Sequence, residues 1–343
     1  MTSSEKVLVT GGAGYIGSHT VVSLVNAGYE PVILDNYSNS NPEVLDGLRK
    51  ILEKDIIHYR GDCQDEALIQ SIFSEHSLKG VIHFAASKAV GESVEKPLLY
   101  YRNNLDSLLT LLEAMDQFDV PNLVFSSSCT VYGQPDHLPV TEDTQRKPAA
   151  SPYGNTKKIC EDIIYDLTNS PSQLKAVSLR YFNPIGAHSS ALIGELPLGT
   201  PNNLIPFVAQ TAAGIRESLT IFGDDYNTPD GTCIRDYIHV VDLADAHVKS
   251  LSYLDLQTGV NFYDVFNLGT GKGNTVLEVI KSFEDVIGNS LNYAVGPRRS
   301  GDVEQIYASV EKASNKLDWR AKKSMSEALA DTWKWQLHLM KHS

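Results

Sequence analysis

The chain has 343 residues, 42% hydrophobic and 21% charged, enough for one large domain or two ordinary ones with the balance of a water-soluble globular fold. A formal net charge of −13 argues against a nucleic-acid partner, and any anionic ligand must be held by local arginines and helix N-termini against the overall field. No apolar run reaches the ~18 residues of a membrane span, and the polar start "MTSSEKVLVTGG" runs straight into a strand, so no leader, no membrane partner and a cytoplasmic setting are expected.

In chain order, "KVLVT" reads as a strand followed by a helix to Ala27, then "PVILD", a helix, "IIHY", a helix and "GVIHFAA". A long helix over Leu98 to Phe118 follows, then "LVFSSS", a helix over Tyr153 to Asn169 and "AVSLRYFN". Apolar strands alternating with helices predict an α/β fold of Rossmann type, a doubly wound parallel sheet with both faces covered. After Asn183 the texture turns to Pro- and Gly-rich loops such as "GDDYNTPDGT". A cofactor-binding domain over 1–182 and a smaller α/β substrate domain over 183–343 are therefore expected, with the ligand cleft between them.

Gly11, Gly14 and Gly17 in "TGGAGYIGSH" stand between strand and helix, where glycine lets the turn close and the backbone approach a pyrophosphate. "VILDN" ends the second strand with Asp35, 18 residues after Gly17, a place for a carboxylate to take ribose hydroxyls. That carboxylate would repel a 2′-phosphate, so NAD is favoured over NADP. Cys63, Cys129, Cys160 and Cys233 are dispersed and read as buried, idle thiols. His338 and His342 have an i,i+4 spacing but no third ligand, so no metal is expected.

In "SPYGNTKK", Ser151 reads as an N-cap, Pro152 as the first helical residue, and Tyr153 and Lys157 as neighbours on one helix face. A capped surface helix would look the same. The alternative is a phenol tuned as a base: an ammonium ~5 Å away at an effective dielectric of ~20 favours phenolate by about 3 kcal/mol, roughly two pKa units. Upstream, "SSSCTVYG" ends a strand with hydroxyls, and Ser128 is placed to bind the same substrate oxygen as Tyr153.

A serine, a tyrosine and a lysine four places on, after such a glycine loop, resemble the catalytic set of the short-chain dehydrogenase/reductases. "GGAGYIGSH", "HFAASKAVGES", "LRYFNPIGAH", "PNNLIP", "IFGDDYNTPDGTCIRDYIHVVDLADAH" and "RRSGD" narrow the resemblance to the UDP-glucose (UDP-galactose) 4-epimerase family of extended members, over almost the whole chain. The resemblance implies that Tyr153, Lys157 and Ser128 are catalytic. Tyr153 would take the O4 proton of a UDP-sugar while hydride passes from C4 to NAD, and return to the other face of a 4-keto sugar would invert C4.

It also implies that Tyr15, Ile16, Asn36, Asn39 and Ser40 join Gly11, Gly14, Gly17 and Asp35 at the cofactor, with Asp62 and Cys63 by the adenine. Phe84, Ala85, Ala86 and Lys88 would run along it, Asn103 beneath, and Ser126, Tyr181 and Phe182 beside it, with Tyr153 and Lys157. For the substrate, Lys88, Ser128, Tyr153, Phe182, Asn183 and Asn203 would contact the sugar side, and Leu204 would bind through its backbone. Thr220, Ile221 and Phe222 would flank the uracil, Arg235 and Arg299 the diphosphate, and Asp302 the uridine ribose. Read from residues alone, Arg235 beside Asp236 fits a surface ion pair equally well.

Four residues after Asp302, relatives restricted to unacetylated sugars carry tyrosine; this chain has Ile306, so partial admission of an N-acetyl group is expected, with Tyr307 pointing away. A 4,6-dehydratase would need an acidic pair after the strand-end hydroxyls, where Cys129 stands. A UDP-N-acetylglucosamine 4-epimerase and a non-catalytic NAD-binding scaffold are the remaining alternatives. In relatives the long helices pair across a two-fold axis, so a homodimer is expected.

Overall fold

The computed structural model describes residues 4–299 and 302–342, with the side chain of His342 outside that set. Six strands of the first half, β1 (Lys6–Thr10), β2 (Glu30–Asp35), β3 (Ile57–Arg60), β4 (Leu78–His83), β5 (Asn122–Ser126) and β6 (Lys175–Tyr181), form one parallel sheet. A seventh strand, Phe262–Leu268, pairs parallel with β6, so the order runs seventh, β6, β5, β4, β1, β2, β3.

Strand alternation sorts the side chains into two layers. Val7, Val9, Ile33, Ile82 and Val124 face the helices Tyr15–Asn26 and Val240–Asp255. Leu8, Val32, Leu34, Val81 and Leu123 face Glu66–Glu75 and Ser107–Gln117, with Cys160 and Ile164 of Pro152–Thr168. Both faces are dry, which is why these strands read as unbroken apolar runs. The order reverses where β1 lies between β2 and β4, and ligands of such sheets bind at the carboxyl ends beside that point.

The second body packs the helices Leu204–Ala212, Val276–Ile287 and Met325–His342 around Ile205, Val208, Phe283 and Leu329. Its boundary is not one cut at residue 183. The chain beyond that point returns to supply a covering helix (Val240–Asp255) and the seventh strand, so the linear division crosses the sheet. "FYDVFNL" carries an Asp and an Asn among its apolar residues and lies among loops, which hid it from a reading by texture.

The expected continuous helix Leu98–Phe118 is three pieces: α-helix Pro97–Tyr101, π-helix Arg102–Asp106 and α-helix Ser107–Gln117. The wide turn is pinned by polar side chains. Asn104 accepts from Ser87 N at 2.8 Å and donates to Ser87 O at 3.1 Å and Thr156 Oγ1 at 2.9 Å, while Ser107 Oγ donates to Asn103 O at 2.6 Å. Such bulges mark functional sites, and this one carries the candidate residue Asn103. Among the described residues no helix is long and apolar enough to cross a membrane.

Candidate active site

The carboxyl ends of β1, β2 and β4 meet at the glycine turn, where Gly11 N donates to Leu34 O and Phe84 N to Thr10 O. Gly11 has φ +68°, and a Cβ there would stand 2.9 Å from Ala85 N; one on Gly17 would stand 2.2 Å from Gly11 O. Neither position admits a side chain, and the cradle so formed leads into the helix Tyr15–Asn26, capped by Gly14. Its first bond is Ser18 N to Gly14 O, so the amides of Tyr15, Ile16 and Gly17 are left for an anion. Tyr15 offers only its backbone there, because its hydroxyl donates to Gly186 O at 2.7 Å.

Asp35 is 7% exposed and fixed by Ala13 N (3.0 Å), Tyr37 N (2.9 Å) and Ser40 Oγ (2.8 Å), all donating to it. Its carboxylate oxygens still have free lone pairs for ribose hydroxyls, and a phosphate there would meet its charge. Asn36 donates to Asp62 at 2.8 Å, and Asn39 is exposed in the same turn. Burial pushes the Cys63 thiol up to about 12, so it serves as packing. All four cysteines are buried and free.

Phe84 is half-buried against the His247 ring at 4.6 Å, Ala86 is half-buried, and Lys88 is exposed. Asn103 donates to Ser87 Oγ at 3.1 Å, and Ser126 Oγ and Tyr181 OH share a 2.6 Å hydrogen bond. A glycine cradle, a helix N-terminus and a carboxylate at the end of the second strand fit a dinucleotide with a free 2′-hydroxyl, namely NAD.

The helix Pro152–Thr168 starts as its sequence demands, Gly154 N donating to the Ser151 cap at 3.2 Å with Pro152 in the first turn. Tyr153 and Lys157 lie on its buried face, 8% and 3% exposed. The Lys157 ammonium donates to Ser126 O at 2.7 Å and sits 4.9 Å from the Phe125 ring centroid. Ser128, 6% exposed, lies just past the end of β5 near Tyr153 and caps the turn Cys129–Tyr132, its hydroxyl accepting from Thr130 N at 3.2 Å.

Placement agrees with the sequence reading; electrostatics do not. Burial lifts the Tyr153 phenol well above a free tyrosine, outweighing the opposite pull of the nearby Ser128 hydroxyl, and burial also lowers Lys157 to about 8. The expected two-unit depression by Lys157 neglected desolvation, which favours the neutral form of both groups. The chain's own groups therefore do not make this phenol a base at neutral pH.

On the substrate side, Arg299 holds Asp302 in fork geometry, Nη2 to Oδ1 at 2.8 Å and Nε to Oδ2 at 3.2 Å, and Arg235 approaches the same carboxylate at 3.7 Å. Asp236 is no partner of Arg235. It is fully buried and accepts from Thr270, Gly271 and Ala308. Phe222 is 45% exposed with the Arg299 guanidinium 5.8 Å from its centroid, and Thr220 shares its exposed face. Ile221, 1% exposed, points into the core, so of the three expected uracil neighbours its side chain is the one turned away from any ligand.

Asn203 donates to Glu195 at 2.7 Å just before the helix that Leu204 begins, and Asn183 N donates to Asp236 O at 3.0 Å. Ile306 packs with Cys129, Tyr132 and Phe182, whereas Tyr307 stands against Gly273 on the other side of the strand. The sequence reading passed over Asn104, Ser127, Glu161, Arg180 and Glu195. Only "SSSC" and the helical spacing of Glu161 after Lys157 hinted at any of these.

Against known proteins, the family model described as GDP-mannose 4,6 dehydratase matches residues 8–332. A UDP-glucose 4-epimerase of Bacillus subtilis is 51% identical over 330 residues, covering 96% of each chain. The Bifidobacterium longum UDP-glucose 4-epimerase, solved with NAD+ and UDP, superposes with TM-score 0.93 at 47% identity, covering 97% of this chain and 98% of that one. The Stenotrophomonas maltophilia UDP-glucose-4-epimerase, solved with NAD and formylated UDP-arabinopyranose, gives 0.95 at 44% identity, covering 99% and 100%.

Proposed function

From a chain that belongs to the UDP-glucose 4-epimerase family of extended short-chain dehydrogenase/reductases, we infer an NAD-dependent isomerase that interconverts UDP-galactose and UDP-glucose through a 4-keto sugar. The observation that carries this is the placing of Tyr153 and Lys157 on one buried helix face, with Lys157 tied to the end of β5, in a chain half identical to such enzymes over nearly its full length. NAD supplies a hydride acceptor and, once reduced, a donor.

The chain's residues do the rest. Tyr153 and Ser128 bind the sugar O4, and Tyr153 takes and returns its proton. Lys157, aimed by Ser126 O, would hold the nicotinamide ribose, and with the cofactor's positive charge and the helix N-terminus it would bring the phenol down. Arg235, Arg299 and Asp302 hold the UDP, and Phe182, Cys129 and Ile306 give the hexose an apolar wall. Tight binding of the part that does not react, with a loose hold on the sugar, lets the keto sugar turn between hydride transfers.

Ile306, smaller than a tyrosine and packed beside Cys129 and Phe182, supports a secondary activity on N-acetylated UDP-sugars. We place the enzyme in the cytoplasm as a homodimer. Val94, Leu98 and Leu99 are 61%, 78% and 50% exposed, and Tyr165 on the helix Pro152–Thr168 is 54% exposed, the apolar faces such a dimer would cover. NMR of the purified protein with UDP-galactose, then UDP-N-acetylgalactosamine, without added cofactor tests the reading. UDP-galactose left unchanged by protein that retains NAD would turn it towards a non-catalytic binder.

A further inference from the structure

One helical turn beyond Lys157, Glu161 puts a carboxylate with 1% side-chain exposure beneath the site. A bare charge there would be costly, yet four donors meet it: Arg180 Nε at 2.9 Å and Nη2 at 2.6 Å, Ser127 Oγ at 2.6 Å, and Arg146 Nη1 at 3.2 Å. Arg180 also donates to Tyr132 OH at 3.0 Å and Glu142 O at 3.2 Å, so the knot joins the catalytic helix, β6 and the turn after Ser128.

Ser127, fully buried, lies between the carbonyl that aims Lys157 and the hydroxyl that meets Tyr153. We propose that Glu161 is a positioning residue for the reaction, holding the Ser126–Ser128 strand end in register with the helix carrying Tyr153 and Lys157; this rests on the 4-epimerase reading above. A buried ion pair adds little stability over a well-packed apolar pair of the same volume. What the knot adds here is geometry: the carbonyl that aims Lys157 and the Ser128 hydroxyl each belong to a neighbour of Ser127 in the chain, and a displacement of about 1 Å is enough to cut a rate by up to ~100-fold.

Ser127→Ala removes the tie and leaves the Glu161–Arg180 pair. It should lower kcat for UDP-galactose about tenfold with KM and NAD retention unchanged, and with a melting temperature near wild type. Glu161→Gln, which also weakens the hold of Arg180 and Arg146, should lower kcat further, and the double variant should be no slower than Glu161→Gln alone, since Ser127 acts only through Glu161. If Glu161→Gln does not fold, Ser127→Ala decides. An active wild type whose Ser127→Ala keeps its kcat within twofold, or loses only KM, overturns the inference and spares the function; an inactive wild type overturns both.

Discussion

The cofactor half and the substrate half of the cleft are built on different principles. Backbone and packing make the first: Gly11 and Gly17 admit no Cβ, Asp35 is locked by three donors, and the amides of the first helical turn are set by the helix itself. Side chains that hold one another make the second, with Arg235 and Arg299 on Asp302 and Asn203 on Glu195. On the function proposed above, a dinucleotide would meet a finished socket, whereas a diphosphate would have to draw two guanidiniums away from a carboxylate. Such a contrast would suit a cofactor that stays through many turnovers and a product that leaves after each one.

That contrast can be broken most sharply at Tyr153. Tyr153→Phe should reduce kcat more than about 1,000-fold while NAD stays bound, read by UDP-galactose turnover and by absorbance of retained cofactor; release of NAD would place the phenol in the socket's construction instead. Next, Arg299→Ala should raise KM for UDP-galactose about 10- to 100-fold through loss of charge-assisted bonds, with NAD affinity unmoved.

A subtler effect is expected at Ile306→Tyr. The ring should suppress turnover of UDP-N-acetylgalactosamine about tenfold relative to UDP-galactose, as a steric change of a few carbons does, measured by competing the two substrates.

The smallest effect is on stability. Lys157 is lowered to about 8 from the ordinary 10.5, so between those values the unfolded chain binds more protons and this group's contribution to stability rises with pH. Below about pH 8 the folded state carries the full penalty of a buried ammonium. Lys157→Met should therefore melt at or above wild type at pH 7, with the difference shrinking towards pH 10.5, while activity is lost.

The strands, the glycine turn, the Ser151 cap and the shared face of Tyr153 and Lys157 were legible because each follows from local spacing. Their charge states were not, because desolvation depends on what folds over them: the phenol moved up where a pairwise estimate moved it down. The break at Asn103 was equally hidden, since the partner that stabilises the wide turn, Ser87, lies 16 residues upstream in a loop. Arg235 could be assigned to Asp236 or to a ligand on paper; only the fold sends Asp236 inward to three backbone amides. The Ile306 and Tyr307 faces followed from strand alternation.

The late return of Phe262–Leu268 to β6 bears on how the protein emerges from the ribosome. Until roughly residue 268 has cleared the exit tunnel, β6 is a bare edge of unpaired N–H and C=O groups with nothing to zip against. A nascent chain halted after the first six strands would therefore be a candidate for chaperone capture, and the two halves of the polypeptide should not be obtainable as independent, well-behaved fragments.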